Sequence, residues 1–312
     1  MPNAKLKNYL HLHFIVFVWG FSAVLGKLIT IDALPLVWYR MLMASFIIIA
    51  YILIRKFPLK VPPKTLLTLV IGGIVVALHW VTFFMAIKVS NVSIALATMS
   101  TGAFFTALLE PFWYGRKMVG YEVVFGIIVM LGLYIMFRVE TTYMLGMLLA
   151  LVSSFLSATF SLINGKLTQE QRPSIISFYE LGSGVLFLTI YLAFSGSFDQ
   201  KFFQLPLNDW IFIFILASIC TAYAFIASVK ILKYISPYTV ILTGNLEPVY
   251  GIILAFLILG DSEKMNPLFY VGALLILTTV VANGILKNRK KLKKRLMGYL
   301  PIKVLYLPDE KN

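Results

Sequence analysis

The sequence predicts an all-α integral membrane protein with ten transmembrane helices, arranged as two inverted five-helix repeats with both termini in the cytoplasm. Hydrophobic residues make up 60% of the 312 residues and charged residues only 13%, whereas a soluble domain has about 25% charged residues. The hydrophobic residues lie in blocks long enough to cross a bilayer, which takes roughly 20 residues. Short motifs also recur 139 to 145 residues apart, which divides the chain into two similar halves.

Ten apolar runs can be assigned as membrane spans, and the short connections between them mostly contain a proline, a glycine or a charge. A β-barrel would instead show alternating segments of about ten residues. The single cysteine, Cys220, excludes a disulfide within the chain. The predicted spans are residues 9–28, 35–54, 66–87, 92–109, 119–137, 143–163, 175–194, 210–229, 237–259 and 268–286.

The distribution of lysine and arginine predicts the orientation. With the N-terminus in the cytoplasm, the inner segments carry 21 of these residues and the outer segments five. Cytoplasmic loops are enriched in lysine and arginine, so both termini are expected inside. Nine of the 27 basic residues lie in a tail of residues 287–312. This tail suits an anchor beside an anionic leaflet, and we expect no nucleic-acid partner.

The two halves share motifs at equivalent places. The tripeptide Gly-Lys-Leu ends the first span at Leu28 and recurs just after the sixth, where it ends at Leu167, 139 residues later. A proline begins the next span in each half, at Pro35 and Pro173. Because each half has five spans, an odd number, the two copies must cross the membrane in opposite senses. Inverted repeats of this kind are typical of secondary transporters.

Several short motifs carry a resemblance to a known family. They include WGFS at residues 19–22, Pro35 with Arg40 in the second span, and LEPVYG at residues 246–251. Together they resemble the EamA repeats of the drug/metabolite transporter superfamily. The resemblance implies two repeats, residues 9–138 and 143–286, with spans one, three, four, six, eight and nine around a central cavity. Members of the family export or exchange amino acids, drugs and other small metabolites.

The ninth predicted span contains the strongest candidate site. Glu247 lies about ten residues inside an apolar run, where a carboxylate is costly unless it faces a cavity or a partner. Pro248 removes a backbone N–H from the helix. On a helix, Thr243, Glu247 and Tyr250 share a face, and Asn245 lies beside them. Glu247 is therefore a candidate to bind a substrate ammonium or a coupled proton, and the alternative is a structural acid bonded to a neighbouring helix.

The corresponding stretch of the first half is uncharged, because Gly102 stands where the second half has Glu247. Thr98, Thr101 and Gly102 share one helix face. This face suits substrate contact and close helix packing equally well. We expect an asymmetric site, with hydroxyl groups on one wall and a carboxylate on the other.

Other polar and aromatic residues within the spans are further candidates, each with a structural alternative. His79, next to Trp80, could bind substrate or relay protons, or could join two helices as a neutral imidazole. Trp19 and Ser22 fit a cavity wall or a tight helix crossing. Tyr223 could stack on a substrate or belong to the core.

Arg40 and Glu180 occupy equivalent positions in the two halves, each a few residues inside the end of a span. The favoured interpretation is structural, with the guanidinium of Arg40 extending to the membrane interface. The alternative is a gate at each mouth of the transporter. Because the two residues are expected near opposite faces of the membrane, no ion pair between them is predicted.

These features predict a secondary transporter of the bacterial plasma membrane rather than an enzyme. No metalloprotease, hydrolase or phosphate-loop motif occurs in the sequence, so neither a catalytic site nor a metal or cofactor is expected. The expected activity is alternating-access movement of a small organic metabolite. An amino acid or another amine-bearing compound is the favoured substrate, with export the favoured direction and proton coupling through Glu247 an option.

Two other functions are left open by the sequence. One is uniport or exchange of metabolites without protons, and the other is a non-transporting scaffold or lipid-handling subunit. The expected partners are the small-molecule substrate and the lipid bilayer. The family resemblance implies a homodimer whose subunits contact each other at spans five and ten. The glycines of those spans are also suited to packing within one chain.

Overall fold

The computed structural model describes residues 2–115, 120–231, 243–244 and 246–299, and every regular element in these residues is helical. Eight helical segments are long and apolar enough to cross a membrane, and they correspond to the first eight predicted spans. The ninth predicted span lies partly outside the described residues. The tenth falls in a shorter apolar stretch, Pro267–Asn283. The eight segments are Leu6–Leu28, Ala33–Ile54, Pro63–Val89, Val92–Tyr114, Gly120–Val139, Thr141–Glu170, Pro173–Phe194 and Leu207–Ser228.

The helices are numbered in chain order. A π-helical turn, Ser218–Tyr223, interrupts the eighth span, and 3-10 turns at Thr141–Tyr143 and Gly260–Glu263 lie at two of the connections. The α-helices are α1 (Pro2–Leu28), α2 (Ala33–Ile54), α3 (Pro63–Val89), α4 (Val92–Met99), α5 (Gly102–Tyr114), α6 (Gly120–Val139), α7 (Met144–Glu170), α8 (Pro173–Phe194), α9 (Gln200–Phe203), α10 (Leu207–Ala217), α11 (Ala224–Ile231), α12 (Glu247–Leu259) and α13 (Pro267–Tyr299).

Two predicted spans are not single α-helices, which corrects the sequence-based assignment. Span four is divided into α4 and α5, because the N–H of Thr101 bonds the carbonyl of Thr98, three residues earlier, at 3.1 Å. The hydroxyl of Thr101 donates to the same carbonyl at 2.8 Å, and such side-chain bonds compete with the regular helix ladder. In span eight the hydroxyl of Thr221 donates to the carbonyl of Leu216, five residues earlier, at 2.8 Å.

Helices α2 and α8 correspond closely across the two halves. Each has 22 residues, and α8 begins 140 residues after α2. Beyond each helix the N–H of Phe57 or of Ser197 bonds the carbonyl five residues earlier. The residue before it has a left-handed backbone in both halves, with φ of 51° at Lys56 and 67° at Gly196. The two ends therefore have the same turn, with a lysine at the strained position in one of them.

The core lies where α1, α2, α3, α8 and α10 pack together. Among its largest fully buried side chains are Leu12, Met41 and Phe84. Large apolar side chains also cover the outer surface, for example Phe112 and Phe194 at 81% and 91% exposure. An outer surface of this kind is expected for a bundle whose solvent is lipid.

Helices α6 and α13 pack at two glycines. A Cβ atom on Gly132 would lie 2.9 Å from the carbonyl oxygen of Gly272, and one on Gly272 would lie 2.7 Å from the carbonyl oxygen of Gly132. These glycines of spans five and ten thus serve a close contact within the chain, and the homodimer stays a prediction. Helix α13 continues to Tyr299, into the predicted basic tail.

Candidate functional site

The two stretches that the sequence singles out are helix breaks with matching hydrogen bonds. In the first half the N–H of Thr101 donates to the carbonyl of Thr98 at 3.1 Å, and in the second half the N–H of Leu246 donates to the carbonyl of Thr243 at 3.0 Å. The two pairs lie 145 residues apart. Asn245, another predicted site residue, lies outside the described residues. Both breaks give way to a new helix, α5 in one half and α12 in the other.

Glu247 is the first residue of α12 and is partly buried. Its helix crosses α1 without a side chain between the two backbones. A Cβ atom on Gly20 would lie 2.8 Å from the backbone nitrogen of Gly251 and 2.9 Å from the carbonyl oxygen of Glu247. The WGFS and LEPVYG stretches therefore meet in space. This close crossing fixes the backbone of Glu247 against α1.

Arg40 is buried in the interior and not extended to the interface, so the predicted snorkelling is wrong. Its side chain is 4% exposed. The guanidinium carbon lies 3.9 Å from the centre of the Trp80 ring, and Nε donates to the hydroxyl of Thr221 at 2.7 Å. The competing force is cation–π attraction, which holds the guanidinium against α3.

His79 joins α3 to α7. Its Nδ1 lies 2.8 Å from the hydroxyl and 3.0 Å from the carbonyl oxygen of Ser153, and the Ser153 hydroxyl also lies 2.9 Å from the carbonyl oxygen of His79. These contacts satisfy the nitrogen locally and favour the structural alternative for His79. Trp80, its neighbour, is buried and faces Arg40 instead.

Glu180 is also buried, at 0% exposure, and does not reach the interface. Its Oε1 accepts a hydrogen bond from the amide of Asn164 at 3.0 Å, whereas Oε2 has no partner among the described residues. A Cβ atom on Gly72 would lie 2.5 Å from Oε1, so that glycine leaves the room for the carboxyl. Glu180 thus links α8 to α7 and α3, and it shares no contact with Arg40 within the described part of the chain.

The remaining candidates contact neighbouring helices. The hydroxyl of Thr101 lies 3.0 Å from that of Ser154 on α7, whereas the buried hydroxyl of Thr98 has no partner in the described ranges. The hydroxyl of Ser22 donates to the carbonyl of Trp19, in the same helix, at 2.6 Å. Tyr223 is 40% exposed and its hydroxyl lies 2.6 Å from Nε2 of His11. No hydrogen bond among the described residues connects Glu247 to Trp19, Ser22 or Tyr223.

Two buried carboxylates that the sequence reasoning missed close one end of the bundle. Asp209, 1% exposed, accepts the N–H of Thr30 at 2.9 Å and its hydroxyl at 2.7 Å, across 179 residues. Glu263, also 1% exposed, accepts the N–H of Ser93 at 2.8 Å and the N–H of Val92 at 3.2 Å. Each carboxylate comes from the second half and satisfies backbone donors of the first. An acid at the start of an apolar run was the available signal for Asp209.

A cavity of about 400 Å³ lies elsewhere, between α5 and α6. It is lined mainly by apolar side chains that are exposed on the outside of the bundle, such as Val123, Ile127 and Met130. In a bilayer this surface meets lipid, so the cavity is separate from the breaks. Among the described residues, no group of three histidine, cysteine or acidic side chains is placed to hold a metal.

Comparison with known proteins identifies the family of this chain. The model of the EamA-like transporter family matches residues 7–138 and again residues 144–284. The chain belongs to the EamA-like transporter family. This confirms the predicted family, and the family match with the eight spans confirms a multi-pass protein of the bacterial inner membrane. The protein is a membrane transporter of this family.

Individual relatives cover nearly the whole chain at low identity. A probable amino-acid metabolite efflux pump of Escherichia coli (strain K12) is 24% identical over 297 residues, which cover 89% of this chain and 95% of the relative. An uncharacterized transporter of Archaeoglobus fulgidus is 24% identical over 285 residues, covering 88% and 96%. A solved crystal structure superposes with a TM-score of 0.61 at 14% identity, covering 89% of this chain and 97% of the other. This last likeness shows the fold alone.

Proposed function

We propose that this EamA-like transporter exports a small amine-bearing metabolite, with an amino acid as the favoured substrate, by alternating access. The observation that carries the proposal is the pair of matching helix breaks, with Glu247 at the start of the helix after the second break. Interrupted helices inside the membrane are the best pointer to a transporter binding site. The relative from Escherichia coli is named a probable amino-acid metabolite efflux pump, which favours the same substrate class and direction.

The proposed topology has ten spans in two inverted repeats, residues 9–138 and 143–286, with both termini and the tail of residues 287–312 in the cytoplasm. The equal lengths of α2 and α8, their shared terminal turn, and the matching breaks support two copies of one unit. An odd number of spans in each copy then makes the repeats inverted. A terminal tag should be cleavable by protease only in inside-out vesicles, and cleavage in right-side-out vesicles would contradict this orientation.

Proton coupling through Glu247 is part of the proposal. A carboxyl at this depth can carry a proton across when its site alternates between the two sides. The substrate ammonium and the proton would then use one carboxylate in turn, which makes transport an exchange of one for the other. The rival within the same fold is uncoupled uniport or metabolite exchange.

Purified protein in liposomes separates these two modes. Liposomes loaded with a mixture of amino acids should release at least one of them, as measured by mass spectrometry. A proton gradient directed into the liposomes should drive this release. Glu247→Gln should abolish the response to the gradient, while Glu170→Gln, a change near the end of α7, should leave it intact. Release that ignores the gradient, together with full activity of Glu247→Gln, would show that the coupling proposal is wrong.

A further inference from the structure

We propose that Arg40 binds the carboxylate of the transported molecule, so that the substrate is a zwitterion whose ammonium lies toward Glu247. The inference rests on the proposed transport function. It narrows the proposed amine-bearing substrates to compounds that also have a carboxylate, and it makes Arg40 a specificity-determining residue.

The hydrogen-bonding capacity of Arg40 is only partly used. A guanidinium has five N–H donors, and Arg40 is 4% exposed, yet among the described residues only Nε has an acceptor, the hydroxyl of Thr221. No carboxylate of the described residues forms an ion pair with it. A buried charge without a counter-charge is costly, and inside a membrane such residues pair with a partner or line a functional path. The terminal nitrogens Nη1 and Nη2 are therefore left for an anionic ligand.

The surroundings of Arg40 hold its guanidinium ready for a planar anion. The guanidinium carbon lies 3.9 Å from the centre of the Trp80 ring and 5.4 Å from that of Phe84. Contact with a ring face fixes the plane of the guanidinium and offsets part of its desolvation. One face of the Arg40 guanidinium contacts Trp80, and its Nε donates to Thr221. The edge that carries Nη1 and Nη2 is therefore available to a ligand. That edge matches a carboxylate with two parallel hydrogen bonds.

Glu247 supplies the opposite charge without neutralising Arg40. The described residues contain no ion pair between the two side chains. Arg40 lies seven residues into α2, and Glu247 lies 12 residues before the end of α12. At 1.5 Å per residue these positions are roughly 10 and 18 Å from the same end of the bundle in the proposed topology. Opposite charges that differ in depth by roughly 8 Å can bind the two ends of an amino acid.

Matched ligands test this assignment on the purified wild-type protein. Thermal stabilisation should be measured with each proteinogenic amino acid, with the amine that lacks its carboxylate, and with the acid that lacks its amine. Examples are leucine, isoamylamine and isocaproic acid. A ligand that binds the folded state raises its stability by mass action. We expect the best amino acid to bind on the order of 10- to 100-fold more tightly than its amine, since a hydrogen bond to a charged group contributes this much.

Variants separate recognition from structure. Arg40→Gln should remove most of the preference for the amino acid over its amine, whereas Arg138→Gln, a control at an exposed arginine, should bind like the wild type. Arg40→Lys keeps the positive charge but lacks the two parallel N–H donors of the guanidinium, so it should retain part of the preference. Equal binding of amino acid and amine by the wild type overturns the assignment even if Arg40→Gln does not fold, and so does an unchanged preference in Arg40→Gln.

The two proposals fail in different ways. If the wild type binds and transports amines without a carboxylate as well as amino acids, the role of Arg40 is wrong and the transport function stands. If liposomes release no compound of either series and none of them stabilises the protein, the proposed transport function falls, and the role of Arg40 falls with it.

Discussion

Replacing Gly20 with alanine should push α1 away from α12 and destabilise the protein. The new Cβ would lie 2.8 Å from the backbone nitrogen of Gly251, and a move to 3.4 Å, where ordinary contact begins, needs a shift of about 0.6 Å. The obstacle is backbone, which cannot rotate away as a side chain can. Overpacking costs about 1–3 kcal/mol, and the better helix propensity of alanine returns at most about 1 kcal/mol. The expected net loss is about 1–2 kcal/mol.

The assay is thermal unfolding of the purified protein in detergent, followed by intrinsic fluorescence. Gly182→Ala is the matched control, because a Cβ atom at Gly182 of α8 meets nothing within 4 Å. The melting temperature should fall by a few degrees in Gly20→Ala and stay level or rise in Gly182→Ala. Transport should also fall in Gly20→Ala, since the shift moves the helix that begins with Glu247. If both alanine variants are equally stable, α1 and α12 do not cross at this glycine.

Three further outcomes are expected. Asp209→Ala should lower the stability by about 3 kcal/mol in chemical unfolding, because it leaves buried backbone donors unsatisfied; an unchanged midpoint would refute the contact. Ser153→Ala should cost about 1–2 kcal/mol, as it removes the hydroxyl that bonds His79, and a neutral result would return His79 to the list of substrate-binding candidates. Hydrogen bonding to Lys264 lowers the pKa of the exposed Asp261, so any stability from this pair is lost as the pH falls through that lowered pKa. Exposed pairs of this kind contribute little to stability. Lys264→Ala should therefore leave the unfolding midpoint unchanged at neutral pH and at low salt.

Hydropathy alone located the spans, because a bilayer of fixed thickness demands apolar segments of a minimum length. The first eight predicted spans all coincide with apolar helices of sufficient length. A helix break near Glu247 was also predictable in outline, since a carboxylate and a proline in an apolar run conflict with an ordinary span. The structure adds that the run contains a break at Leu246, matched in the first half at Thr101.

Other features depend on partners that are distant in the sequence. Arg40 lies near the end of its span, so the interface was within reach of its side chain; only the positions of Trp80 and Thr221, 40 and 181 residues away, explain why it stays inside. Asp209 falls between two predicted spans, and the sequence does not show that it accepts backbone hydrogen bonds from the other half of the chain. Glu180, the sequence equivalent of Arg40, is buried against Gly72 on a different helix. Equivalent positions in the two halves thus have different environments.

The most direct measurement is whether water reaches the two helix breaks during transport. Single cysteines at Thr98 and Thr243, in a Cys220→Ala background, would be treated with a polar, membrane-impermeant thiol reagent in liposomes, with a cysteine at the lipid-facing Ile127 as the control. If the substrate passes between the breaks, both positions should react, transported amino acid should slow the reaction, and Ile127→Cys should stay unmodified. If Thr98→Cys and Thr243→Cys react no faster than Ile127→Cys, no aqueous path runs between the breaks and the proposed transport route is contradicted.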